Sequence, residues 1–167
     1  MREVISFTKV KLAHGWLGNM SRFAIEWDGR TWPTTENLFQ AMRFKDFIKQ
    51  EEIRAINNPF ASKLKAKSLA KDGGYDVEPR SEADLDNMRI CIRLKLEQHP
   101  DLKGVLRGTG DTIIHEDVTA RGRGASNMFW GALLNKEGEW EGESWLGRIW
   151  EEERAKLEEP IIQPPLF

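Results

Sequence analysis

The sequence predicts a single, mainly α domain of the α+β class with a small antiparallel β part. Three observations carry that prediction. Segments of helix length fill the middle of the chain and open on capping residues, the β-type runs around them are short, and one pair of those runs is joined by an Asp-Gly dipeptide. The 167 residues match the roughly 100–200 of one domain.

Taken in order, residues 4–7 read as a strand and residues 13–22 as a Gly-containing loop. Residues 23–27, the turn pair Asp28-Gly29 and Thr31-Trp32 then form a hairpin. Thr34 or Thr35 caps a helix expected to run through Lys45 or further. Asn58-Pro59 starts another, with its proline at the first helical position. Ser81, with Asp84 three residues on, opens a helix over 83–98, and Pro100 a shorter one to Arg107. Residues 112–115 and 128–134 read as strands, and Ser144 caps a last helix to about Leu157. Residues 1–158 are thus the expected domain. Prolines in 159–167 mark a C-terminal tail.

A formal charge of −2 is not the footprint of a high-affinity duplex binder, and 40% hydrophobic with 31% charged residues describes a folded chain with a mixed-sign surface. Cys91, the only cysteine, sits between Ile90 and Ile92 and reads as a buried, inert thiol. His14, His99 and His115 lack metal-ligand spacing, so no metal is expected. Without a signal-like start or an apolar run of roughly 18–20 residues, the reading is cytoplasmic and not membrane-bound. Seven tryptophans against one tyrosine suggest ring-lined concave surface as well as core.

On a helix from Glu36, residues Leu38, Phe39, Ala41, Met42, Phe44 and Ile48 form an apolar arc, with Glu36, Gln40 and Arg43 on the opposite stripe. Periodicity alone reads that stripe as a solvated face. Position supports a different reading, because Glu36 lies in a first helical turn directly after an aromatic hairpin, where a carboxylate can look into a ring-walled cleft. Two Gly-rich stretches, 104–110 and Arg121-Gly122-Arg123-Gly124, could approach a phosphate, although neither completes a nucleotide-binding fingerprint.

Read in order, Gly15-Trp16-Leu17-Gly18-Asn19, Trp32-Pro33-Thr34-Thr35-Glu36-Asn37 and Phe39-Gln40-Ala41-Met42-Arg43-Phe44 resemble the NADAR, or YbiA-like, family. The similarity continues through Pro59, Ala61 and Lys63, Met88, the 106–111 run with Glu116, Trp130-Gly131, and Trp145-Leu146-Gly147 with Arg154. The resemblance implies a YbiA-like fold and enzymes that hydrolyse N-glycosidic bonds at ribose C1. Their substrates are phosphorylated ribosylaminopyrimidines of early riboflavin synthesis or ADP-ribosylated guanine, including modified nucleic acid, and no cofactor is implied. The family's acid matches Glu36, its loop asparagine Asn19, and its Trp-Gly pair Trp130 and Gly131. Three departures stand out. Arg43 replaces a common lysine, Asn127 replaces a common acid, and a tryptophan expected ahead of the long helix is absent from 76–84.

The expectation is therefore N-glycoside hydrolysis on a small ribosyl phosphate or ADP-ribosyl substrate. Glu36 stabilises the ribose cation or activates water, Arg43 holds a phosphate or hydroxyl, and Asn19 positions the sugar. Gln40, Asn127 and Gly131 accompany them, and Trp32 or Trp130 stacks on the base. Trp16 is a further candidate for lining the ligand, whereas Trp27, Trp145 and Trp150 are assigned to packing. Lys63, better placed than Lys45, is the stand-in for the family's lysine, since Arg cannot form a Schiff base. The alternative is a non-catalytic ADP-ribose or nucleotide binder of the same fold.

Overall fold

The computed structural model describes residues 1–158. Strand β1 (Val4–Phe7) leads through a 3₁₀ turn (Gly15–Leu17) to the hairpin β2 (Ile25–Trp27) and β3 (Arg30–Trp32). Helices α1 (Thr35–Ala41), α2 (Phe47–Arg54), α3 (Pro59–Leu69), α4 (Glu82–Gln98) and α5 (Asp101–Gly108) follow. Strand β4 (Ile113–Glu116), a 3₁₀ turn (Thr119–Arg121), α6 (Ala125–Trp130), the pair β5 (Leu133–Leu134) and β6 (Trp140–Glu141), and α7 (Trp145–Glu158) complete it. The mainly α, α+β class is as the sequence predicts. The proposed tail, 159–167, lies outside the described residues.

Local chemistry explains most boundaries. Asp28 and Gly29 take φ of 52° and 68°, the paired left-handed conformation that a two-residue hairpin turn demands. Thr34, Asp46, Asn58 and Ser81 each cap the following helix by accepting a backbone N–H on the side chain. Among the described residues two of the three strand pairs are antiparallel, but β1 and β4 pair in parallel, from Val4 opposite Ile113 to Phe7 opposite Glu116. Over a hundred residues separate these strands, so the helical middle serves as their crossover.

Two expected elements differ. The helix foreseen through Lys45 stops at Ala41, because the Arg43 carbonyl accepts the N–H groups of Asp76 and Val77 while Asp46 caps a new helix. Ile48 consequently leaves the apolar arc and is exposed on α2. The strand foreseen over 128–134 is instead the last half of α6 and the two-residue β5. Phe129 and Trp130 pack their rings on Trp145 and Phe39, contacts between distant segments that no local pattern announces.

The core gathers Phe7, Leu17, Trp32, Leu38, Ile92, Ile114 and Trp150 around the central α1, all of whose residues are buried. Lys95 is also wholly buried; its ammonium donates to the Trp16 and Gly18 carbonyls and to the Ser21 hydroxyl, tying α4 to the 15–21 loop. Burial pushes its pKa down to about 7.

Helix α7 crosses β4 so closely that a Cβ on Gly147 would lie 1.8 Å from the Ile114 carbonyl oxygen. Gly147→Ala is expected to destabilise the domain by about 1–3 kcal/mol, the usual range for overpacking. Thermal denaturation checks this, with a fall in Tm of roughly 2–4 °C per kcal/mol for a domain of this size.

Candidate active site

A cleft of about 440 Å³ opens between the 8–22 loop, α1, the start of α3, the end of β4 and α6. Its floor is a polar stripe that runs along α1 and just past its end. Glu36, Gln40 and Arg43 are 7%, 3% and 7% exposed, so the solvated-face reading of that stripe is overturned.

Glu36 sits in the first turn of α1, and its backbone N–H donates to the Asn19 carbonyl at 2.9 Å. Gln40 Nε2 donates to Glu36 Oε1 at 2.8 Å, one helical turn on. Burial raises the Glu36 pKa above the ordinary carboxyl value; Lys63, the Gln40 hydrogen bond and Arg43 pull it back, and Glu116 adds to the rise. The group therefore holds its proton more readily than a free glutamate, in a cleft where that proton can be used.

Arg43 does not stand free to grip a ligand, as expected from the sequence. Its Nε and Nη2 donate to the two carboxylate oxygens of Asp84, each at 2.8 Å, and its Nη1 donates to Gln40 Oε1 at 3.2 Å. Asp84 is fully buried and also accepts the Arg80 backbone N–H at 2.8 Å. A relay of fixed side chains thus runs from Asp84 through Arg43 and Gln40 to Glu36. In it Arg43 holds the Gln40 amide that donates to Glu36, and its planar guanidinium suits the bidentate carboxylate better than lysine would.

The structure brings Asn19, Gln40, Lys63, Asn127 and Trp130 to the cleft alongside Glu36 and Arg43. Asn19 Nδ2 contacts Met88 Sδ at 3.3 Å, while its buried Oδ1 has no protein partner. Trp130 offers an apolar wall braced edge-on by Phe39 and Phe129. Lys63 is exposed on α3 beside the opening. Asn127 Nδ2 donates to the carbonyls of Arg121 and Gly122, pinning the loop that carries Arg121.

Three expected ligand contacts are corrected. Trp32 is 0% exposed and lies in the core beneath the hairpin, its indole N–H directed to the Trp27 carbonyl at 3.3 Å. Gly131 does not line the cleft; its lack of a side chain is what lets it pack there, since a Cβ would come within 2.5 Å of both the Glu116 carbonyl and Val118. Trp16 packs edge-on against Trp150 and does not line the cleft. The 104–110 stretch is mostly helix α5 and lies away from the cleft, whereas Arg121 of the other Gly-rich stretch lines it.

Lys9, Arg22 and Glu116 also line the cleft. Sequence patterns gave Lys9 and Arg22 no signal, because each lies in irregular chain where periodicity is silent. Together with Lys63 and Arg121 they surround the opening with positive charge, a surrounding suited to an anionic group. Among the described residues, no cluster of three or more His, Cys, Asp or Glu is placed to hold a metal ion, and no helix is long and apolar enough to cross a membrane.

Comparison with known proteins adds a relationship across the whole fold. The NADAR domain family matches residues 6–158. The N-glycosidase YbiA of Escherichia coli K12 is 29% identical over 155 residues, covering 92% of this chain and 88% of that protein. Its namesake from Shigella boydii is 30% identical over 81% of this chain and 79% of that protein. A riboflavin biosynthesis protein of Vibrio vulnificus is 30% identical over 95% of this chain, which spans only 40% of that longer protein. The NMR structure of E. coli YbiA superposes with a TM-score of 0.70 at 28% identity, covering 93% of this chain and 85% of that one.

Proposed function

Because the chain belongs to the NADAR domain family, we propose that its cleft is the active site of an N-glycosidase that hydrolyses the bond between ribose C1 and a base or amine nitrogen. One observation carries this reading: a buried carboxyl, Glu36, lies on the floor of a cleft ringed by cationic side chains, where burial raises its pKa. N-glycoside hydrolysis builds positive charge on the ribose ring and needs a proton delivered to the departing nitrogen. A carboxyl held by Gln40 can serve both needs, as acid before cleavage and as a negative charge beside the cation afterwards.

In this reading Lys63 and Arg121, which line the cleft, receive a substrate phosphate, Asn19 meets a ribose hydroxyl and Trp130 walls the reacting atoms from water. The substrate class is accordingly a ribosyl N-glycoside bearing phosphate, either a phosphorylated ribosylaminopyrimidine or an ADP-ribosylated guanine. The Vibrio relative's name, a riboflavin biosynthesis protein, supports the first. No cofactor enters the mechanism, and the cytoplasm is the proposed compartment. Incubation of the purified protein with each substrate is expected to release free base from one of them. A shift in melting temperature with both ligands intact would instead support a non-catalytic binder of the same fold.

A further inference from the structure

The cleft contains a second carboxylate, with surroundings opposite to those of the first. Glu116 ends β4, and its carboxylate pairs with Arg121 at 2.9 Å with 19% of its side chain exposed. Its backbone is fixed from three sides: by the pairing with Phe7, by the Ala132 N–H donating to its carbonyl at 2.8 Å, and by Gly131 packed against that carbonyl. Glu36 comes from another element, α1, and is buried under an amide donor. The two groups line the same cleft. Among the described residues lining the cleft, they are the carboxyl groups. Asn127 lies nearby as an amide, which cannot take a proton from water.

We propose that Glu116 is the general base of the reaction, taking the proton of the attacking water while Glu36 gives its own to the leaving nitrogen. The inference rests on the N-glycosidase reading above. In the step, a water oxygen forms the new bond to ribose C1 as the C1–N bond breaks and its electron pair passes to nitrogen. The Glu36 proton neutralises that nitrogen, and the water's proton goes to Glu116, so water is consumed and both atoms and charge balance. Exchange with solvent then returns Glu36 to its acid form and Glu116 to its carboxylate. Division of roles between two carboxyls in contrasting environments is a general device for running acid and base chemistry together.

The test is kcat/KM against pH for Glu116→Gln, Arg121→Gln and the wild type. The wild type is expected to show a bell, with activity lost at low pH as the base protonates and at high pH as Glu36 ionises. Glu116→Gln is expected to lower the rate about 10²–10⁴-fold and abolish the acid limb. Arg121→Gln breaks the ion pair yet keeps that limb, which separates proton transfer from a structural role. Where the amide lowers the melting temperature, Glu116→Asp serves instead and should keep the acid limb at a reduced rate; its loss there contradicts the assignment. An acid limb retained by Glu116→Gln, or a rate within tenfold of wild type, overturns the proposal alone when Glu36→Gln is inactive. Full activity of Glu36→Gln, or no base release by the wild type, overturns the reading beneath it as well.

Discussion

Glu36→Gln is expected to reduce kcat/KM about 10²–10⁴-fold, the range for losing one well-placed acid–base group. The protein should remain folded, because the amide is isosteric and avoids the burial of a charge. The direction of the stability effect follows from the raised pKa. A carboxyl whose folded-state pKa exceeds its unfolded value favours folding fully below the unfolded value, and this contribution is lost as pH rises through the folded one. Glutamine has no such dependence. Relative to Glu36→Gln, the wild type should therefore lose stability as pH rises past the ordinary carboxyl range. Thermal denaturation of both proteins from acid to mildly alkaline pH checks the sign, and steady-state kinetics the rate.

Asp84→Ala is expected to cost about 3–5 kcal/mol, since it leaves the buried Arg43 guanidinium without its counter-charge. In a domain of this size that lowers Tm by roughly 2–4 °C per kcal/mol. Replacing both partners, Arg43→Met with Asp84→Leu, should recover much of the loss, because an apolar pair of similar volume avoids the desolvation of two charges. Activity should not recover with it. Gln40 would then lack the Nη1 donor that fixes its carbonyl oxygen, and the amide that donates to Glu36 could turn away. A double variant both stable and fully active would show that Arg43 and Asp84 serve the fold and not the acid.

Capping residues made α3 and α4 legible in the sequence, Pro100 the start of α5 and the Asp28-Gly29 turn the hairpin, because their causes lie within a few residues of their effects. The break after Ala41 was not legible, since it depends on Arg43 and Lys45 meeting Asp76 across the fold. Glu36 could be selected for its place in a first helical turn and for its match to a family pattern. The task of Arg43 could not be read that way: its partner, Asp84, was visible only as part of a helix cap. Trp32 carries the same lesson in reverse. A tryptophan within a family motif looked like a ligand wall, but alternation along a three-residue strand turned it into the core. Glu116 stood in the matched pattern without a role, and the role proposed for it rests on the Arg121 pair and the shared cleft.

On the proposed mechanism, water held in this cleft attacks ribose C1. Single-turnover reactions in ¹⁸O-enriched water, with the phosphorylated ribosylaminopyrimidine and with ADP-ribosylated guanosine, test it directly by mass spectrometry of both products. The expected result is one atom of ¹⁸O on the released sugar and none on the free base, abolished by Glu36→Gln. Recovery of both substrates intact, or ¹⁸O on the base, would contradict it.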